Sequence, residues 1–322
     1  MTPKDYILST IEELKAPIQM EDIGKTPLED AIFAKVMSKK FRKLKAGDEA
    51  IQLTKEAIKI LVKENKPIRI FEMFGGNKLW RFEEAPEVDW AELFSLTYFV
   101  QWSRLIASIY APGVHFEYFS QDISVESLNN VPRSETDKYS ETFRTLLAFI
   151  QPYLPPTVRV TYTRHFDLFD NPDDYYKELE DAKNKILEKN NGKLPELTDA
   201  MKAATELNVR LRPGQEADPL WREKVELEHQ AIFETKTLKK ICDDPAKIWT
   251  CPTYYPDSVV TGSTKKSYAK FWAAVGALEK KEDGFMELVL TPKQLESIDC
   301  VWEDIKIDGL ESRNFKRIRI VK

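Results

Sequence analysis

The sequence predicts an α/β protein, Rossmann-like, with a mostly parallel sheet flanked by helices, a helical insertion and a mixed C-terminal region. Three observations predict it. A unit of helix, Tyr-x-Pro turn, strand and polar tip occurs twice in succession, at Tyr110 and at Tyr153, as in two adjacent parallel βα units rather than hairpins. Apolar runs end abruptly in polar residues, most clearly where Val114–Phe119 meets Gln121, Asp122, Asn129, Asn130 and Arg133. A charged stretch of helical period, from Leu194 to Cys242, separates this part from a mixed, aromatic remainder.

Taken in order, residues 1–66 read as covering helices. Tyr6, Ile7, Ile11 and Leu14 recur at turn spacing, as do Ile51, Leu53, Ala57, Ile58 and Leu61. The α/β core then spans 67–193. Pro67–Phe74 is a short apolar run that feeds Gly75-Gly76, as a buried central strand would. Pro86, Glu87 and Asp89 mark the start of a helix running from about Glu87 to Ile109, since proline is tolerated and acids are favoured in a first turn. Its apolar face of Trp90, Leu93, Phe94, Thr97, Phe99, Val100, Leu105 and Ile106 is core by period. Tyr110–Gly113 ends that helix, strand Val114–Phe119 follows, and a polar loop leads to Arg133.

Ser134 is a good N-cap for a helix from Glu135 to about Gln151, closed by Pro152, Pro155 and Pro156. Val158–Arg164 alternates as a strand does and runs into His165, Asp167 and Asp170. Asn171-Pro172-Asp173-Asp174 opens a further helix to about Asn190, which Asn191-Gly192 stops. Residues 194–245 form the helical insertion, broken at Arg212–Gly214. Residues 246–322 complete the core as an α/β or β part, in which Tyr268–Gly276 and Phe285–Leu290 each suit a strand. Ser312–Val321 alternates basic and apolar residues as an edge strand guarded by charge would, its basic face serving solubility or phosphate binding.

At 322 residues the chain can make two ordinary domains or one large one. Hydrophobic content of 42% and charged content of 31% describe a globular protein, and a net charge of −5 argues against a coat for nucleic acid. No stretch approaches the ~20 apolar residues that span a bilayer, so a cytoplasmic protein with no membrane partner is expected. Cys242, Cys251 and Cys300 form no Cys-x-x-Cys pair, and His115, His165 and His229 are scattered, so no metal site is expected. No Gly-x-Gly-x-x-Gly follows a strand, no Gly-x-Ser-x-Gly elbow exists, and no cofactor is expected. Gly262–Ser267 superficially resembles a phosphate loop but reads as a surface turn.

Three strand ends concentrate reactive groups: Gly75–Arg81, Gln121–Arg133, and Arg164-His165 with Asp167. Parallel neighbours would share one edge, bringing Lys78, Arg81, Asp122, Arg133, Arg164 and His165 toward one crevice. Such a mixture can grip an anion with arginine forks and place a lysine or carboxylate for proton transfer or imine chemistry. Lys78, Asp122 and His165 are the candidate catalytic residues, and Arg81, Gln121, Asn129, Asn130, Arg133 and Arg164 the candidate substrate-binding ones. Each also has an ordinary reading: Lys78 and Arg81 as solvated turn residues, Asp122 as a loop cap, His165 as a partly buried histidine, and Asn129-Asn130 as a turn tolerant of left-handed geometry.

The order of features resembles the isonitrile-synthase family, also described as the pyoverdine/dityrosine biosynthesis family. The comparable residues are Phe74 and Lys78, Pro86 with Asp89 and Glu92, Tyr110 with Pro112 and Gly113, Ser120 with Asp122, and Val131-Pro132 leading to Tyr139. The resemblance covers about Phe74 to Leu147. Gln121 interrupts the Ser-Asp pair, Ile123 stands in place of a glycine, and the family's downstream histidine motif has no counterpart in Lys270–Gly276. The resemblance implies a Rossmann-like enzyme that joins the amine of an aromatic amino acid to a pentulose phosphate and rearranges it to an isonitrile. In it Arg81, Arg133 or Arg164 would grip the phosphate, Lys78 would assist imine formation, and Asp122 would orient the amine or move protons. Two other classes fit the residues: an α/β enzyme using a nucleotide or S-adenosylmethionine, and a binding or scaffold protein that docks a partner on Leu194–Cys242.

Overall fold

The computed structural model describes residues 1–251 and 257–322. Its central sheet consists of β1 (Ile68–Phe74), β2 (Val114–Ser120), β3 (Val158–Arg164), β4 (Ile248–Cys251) and β5 (Val259–Val260), in the order β3-β2-β1-β4-β5. Every neighbouring pair is parallel. The chain builds outward from β1 through β2 to β3, then returns to the far side of β1 for β4. This reversal places a topological switch between β1 and β4, where open parallel sheets leave a crevice at their carboxyl ends.

Three helices precede the sheet: α1 (Pro3–Glu12), α2 (Leu28–Val36) and α3 (Asp48–Lys63). The crossovers α4 (Trp90–Ala107) and α6 (Arg133–Ile150) cover one face, on which Ile68, Ile70, Phe74, Phe116 and Tyr118 are packed. Between β2 and α6 lies a short helix, α5 (Asp122–Asn129). After β3 the chain crosses by α7 (Pro172–Lys189), α8 (Asp199–Asn208), α9 (Trp221–Glu234) and α10 (Lys236–Cys242). From this group Tyr175, Leu179, Ala231, Ile232 and Leu238 bury the other face, formed by Phe71, Met73 and Phe119. The two-residue period of the strands assigns alternate side chains to the two faces.

A second sheet follows, made of β6 (Val275–Lys281), β7 (Gly284–Leu290), β8 (Cys300–Asp304) and β9 (Arg317–Val321), in the order β7-β6-β9-β8. Helix α11 (Pro292–Ser297) links β7 to β8. This sheet packs on the side of α4 that faces away from the parallel sheet. Nearly every residue of α4 is therefore buried, not the single face its period suggests. Gly276 makes the contact possible, because a Cβ there would lie 2.4 Å from Trp90 Cβ and 2.5 Å from the Ala91 nitrogen.

The structure corrects several local expectations. The polar segment after β2 is helix α5 and not a loop, ended by Asn130 in the left-handed conformation. Helix α4 begins at Trp90, one turn later than Pro86 and Glu87 suggest, because Asp89 and Glu92 form a capping box. Helix α6 starts at Arg133 with no side-chain cap, so Ser134 lies inside it. In Tyr268–Gly276 a 3-10 turn, Phe271–Ala273, precedes β6, and the run is not one strand. The basic C-terminal strand is interior: β9 lies between β6 and β8, and its alternation separates buried Ile318 and Ile320 from Arg317 and Arg319. The Gly262–Ser267 turn follows β5 directly, with Ser263 and Thr264 buried and Lys265 and Lys266 exposed. Of the aromatic residues that by sequence alone could be core or pocket lining, Trp102 and Tyr118 are core, whereas Tyr254 lies outside the described residues.

Candidate active site

Register brings the strand ends together as the parallel arrangement requires: Phe74 pairs with Ser120, and Ser120 with Arg164, along one edge. The Gln121 amide extends the pairing by donating to the Phe74 carbonyl at 2.9 Å. The reactive side chains at this edge divide into three groups.

The first group surrounds Lys78, in the 3-10 turn that follows β1 and Gly75-Gly76. Its ammonium lies 2.7 and 2.8 Å from the two oxygens of Glu92 and 3.1 Å from Asp89 Oδ1. The Tyr139 hydroxyl donates to Glu92 Oε1 at 3.0 Å. Asp89 also accepts from the Ala91 amide, and Glu92 Oε2 accepts from the Asp89 amide, so the capping box of α4 is part of the cluster. All four side chains are buried. Burial pulls Lys78 down, but the attraction of Asp89 and Glu92 outweighs it and holds the group as an ammonium. Burial pushes both carboxyls up against that attraction, Glu92 to about 7. This geometry gives Lys78 the part of a fixed positive charge rather than a free amine, and gives the carboxyls the capacity to carry a proton.

The second group is a polar row across the sheet, one layer below its edge. Tyr162, Tyr118, Glu72 and Thr250 stand abreast in β3, β2, β1 and β4. Thr250 Oγ1 donates to Glu72 Oε2 at 2.5 Å, while Glu72 Oε1 and the Tyr118 hydroxyl have no hydrogen-bond partner among the described residues. Burial pushes Glu72 up to about 8. The Trp272 ring lies near Gly75, where an added Cβ would approach it to 3.4 Å.

The third group lies at the tips of β2 and β3. Arg164 donates to Asp122 and to Asp137, at 2.5 Å each, and Asp122 also accepts from the Phe166 amide at 3.2 Å. Burial pushes Asp122 up, and Arg164 opposes that shift. Arg133 pairs with Glu126 at 2.9 Å and stacks on Phe166. Two of the three arginines expected to grip an anion are thus already occupied by carboxylates.

The single crevice expected from the sequence is therefore divided. Asp122 and Arg164 meet, and Arg133 joins them across the Phe166 ring, but Lys78 belongs to the α4 side. Arg81, Asn129 and Asn130 fasten the insertion: Arg81 donates to the Leu207 carbonyl, Asn129 to Asn208 O at 2.6 Å, and Asn130 to Arg210 O at 2.5 Å. The segment Leu207–Gln215 is thereby tied down at this edge, where Gln215 Oε1 accepts from Asn130 as well. Gln121 contributes its backbone. His165 points away into the opposite apolar layer, against Phe119, Phe169 and Tyr175, with neither ring nitrogen partnered among the described residues.

Burial lowers His165 to about 4. Its folded pKa is below the unfolded one, so it costs stability as pH falls from about 6.5 toward 4, where the unfolded chain takes up a proton the folded one resists. His165→Leu is expected to flatten the acid limb of a stability profile measured by urea unfolding while leaving neutral stability within about 1.5 kcal/mol. An unchanged acid limb would show that His165 does not titrate as a buried group.

Sequence reasoning passed over Asp89, Glu92 and Tyr139 as site residues, reading the first as a helix start and the others only as letters of a resemblance. It also passed over Glu72, although a single acid inside the apolar run Ile70-Phe71-Glu72-Met73-Phe74 is a signal in itself. No group of three or more His, Cys, Asp or Glu side chains suited to a metal ion occurs among the described residues. No helix among them is long and apolar enough to cross a membrane.

These features define an α/β protein with a doubly wound parallel sheet, a mixed second sheet and buried acid and base groups at the carboxyl edge. No family model and no curated protein matches the chain. Among solved structures, the crystal structure of the PvcA protein from Pseudomonas aeruginosa is similar to it, with a TM-score of 0.61 and 16% identity. The likeness covers 92% of this chain and 100% of that one, and at this identity it is a likeness of fold.

Proposed function

We propose that the chain is a biosynthetic enzyme of the isonitrile-synthase type, acting at the carboxyl edge of the parallel sheet on the amine of an amino acid and on a pentulose phosphate. One observation carries the reading. Lys78, Asp89, Glu92 and Tyr139, all residues on which the family resemblance rests, come from separate parts of the sequence and close into one buried cluster beside Phe74. Scattered letters of a weak pattern thus meet as one device. The fold likeness to PvcA along nearly the whole chain supports the same reading.

Condensing an amine with a sugar carbonyl forms an imine and releases water, which requires protons to move at nitrogen and oxygen. A carboxyl near neutrality, as burial makes Glu92, suits that task. Lys78, held as an ammonium, supplies positive charge to oxygen that becomes negative, and the imine forms on the substrate's own nitrogen. Asp122, fixed by Arg164, is left the part the resemblance implies, to orient the amine or move protons. Purified protein incubated with tyrosine, tryptophan or other amino acids and ribulose 5-phosphate should yield an isonitrile, read by mass spectrometry and its infrared stretch. Folded protein that gives no isonitrile with any amino acid would sink this reading.

A further inference from the structure

A cavity of about 460 Å³ opens between the start of α4, the Glu83-Glu84 turn and the β8–β9 pair of the second sheet. Its lining carries both signs of charge. Glu84 and Asp89, 6% and 2% exposed, lie on the inner side, and each keeps one oxygen without a hydrogen-bond partner among the described residues. Arg317 and Arg319 line it from β9, each 4.1 Å from the ring centre of Trp302. Arg319 is paired with Glu84. Arg317 is half-exposed; its one ion pair among the described residues is with exposed Glu83 at 4.0 Å, and Asp304 is its cross-strand neighbour.

Two buried carboxylates beside each other repel, and Glu84 adds to the upward push that burial gives Asp89. A ligand cation would relieve that repulsion. A guanidinium stacked on an aromatic ring and loosely paired keeps its planar fork available for a carboxylate or phosphate. The volume falls within the ~300–1,000 Å³ of small-molecule sites. Asp89 is also a partner of the Lys78 ammonium, so the cavity reaches the buried cluster.

We propose that this cavity binds a small zwitterion, with its ammonium against Asp89 and Glu84 and its anionic group against Arg317. The inference deepens the proposed function and rests on it only in taking the buried cluster as the reacting centre. The test is calorimetric titration of the full-length protein with four probes: tyrosine, tyramine, which lacks the carboxylate, N-acetyltyrosine, which lacks the ammonium, and ribulose 5-phosphate. Tyrosine is expected to bind about tenfold or more tighter than tyramine or N-acetyltyrosine. Arg317→Gln, at an exposed position, should weaken tyrosine about tenfold and leave tyramine unchanged, while Glu84→Gln should weaken both.

Tyramine or N-acetyltyrosine binding as tightly as tyrosine would overturn the proposal. So would binding of the sugar phosphate alone, absence of binding by every probe, or tyrosine affinity indifferent to both substitutions. Tyrosine binding that follows the expected pattern without isonitrile formation would keep this site and remove the reaction. Isonitrile formation unaffected by either substitution would keep the reaction and remove this site.

Discussion

Lys78→Met is expected to destabilise the protein by about 3–5 kcal/mol at neutral pH, because it leaves Asp89 and Glu92 buried without their counter-charge. The loss should shrink in acid. Both carboxyls have pKa values raised by burial, so protonation removes the stranded charges that the substitution creates. Adding Glu92→Gln to Lys78→Met should recover part of the loss, since breaking a buried ion pair costs more than replacing it with neutral groups. Urea unfolding of the wild type, the two single variants and the double variant completes a thermodynamic cycle. A loss below about 1 kcal/mol would mean that water reaches the cluster and screens it as it does exposed pairs.

Glu72→Gln should act in the opposite direction. Burial raises the Glu72 carboxyl from 4.5 to about 8, so the folded protein keeps a proton that the unfolded chain releases above about 4.5. The contribution of this group is fully present below the unfolded pKa and is lost as pH climbs toward the folded one. At pH 7 the span is roughly 2.5 pH units, which at ~1.36 kcal/mol per unit is a penalty on the order of 3 kcal/mol. Glutamine keeps the shape and an acceptor for Thr250 but cannot ionise. The variant should be more stable at pH 7 by about that amount, and its stability should lack the decline expected of the wild type between about pH 5 and 8. Identical pH slopes for the two proteins would contradict a buried, neutral Glu72. Glu72 borders the switch between β1 and β4.

The parallel sheet was legible because two Tyr-x-Pro turns each sit between a helix and a strand that ends in a polar tip, and the observed register aligns those strands residue for residue. The second sheet was legible only as strands. What places β9 inside it rather than at its rim is the pairing of Trp302 with Arg319 and of Ala277 with Arg319, which alternation alone does not specify. The all-round burial of α4 has the same origin, because a helix between two sheets loses the polar stripe by which helices are recognised.

The site was legible as an edge but not as a set of partners. A strand-end position tells where a residue starts, while its partner depends on long-range packing. Arg164 meets Asp137, and Asn130 meets Arg210, across distances in sequence that no local pattern spans. His165 was misplaced for a simpler reason. The turn after β3 leaves it on the face opposite the Lys78 cluster, where it packs against Phe119 and Tyr175.

Tyr139→Phe tests the central claim most directly, since it removes one hydroxyl from the buried cluster and nothing from the surrounding aromatic packing against Phe74 and Phe143. The measurement is the rate of isonitrile formation from an aromatic amino acid and ribulose 5-phosphate, with the melting temperature taken alongside. The variant is expected to melt within a few degrees of wild type and to form product about 100-fold more slowly, the scale of a lost proton-transfer partner. Undiminished turnover by the folded variant would contradict the assignment of this cluster to the reaction.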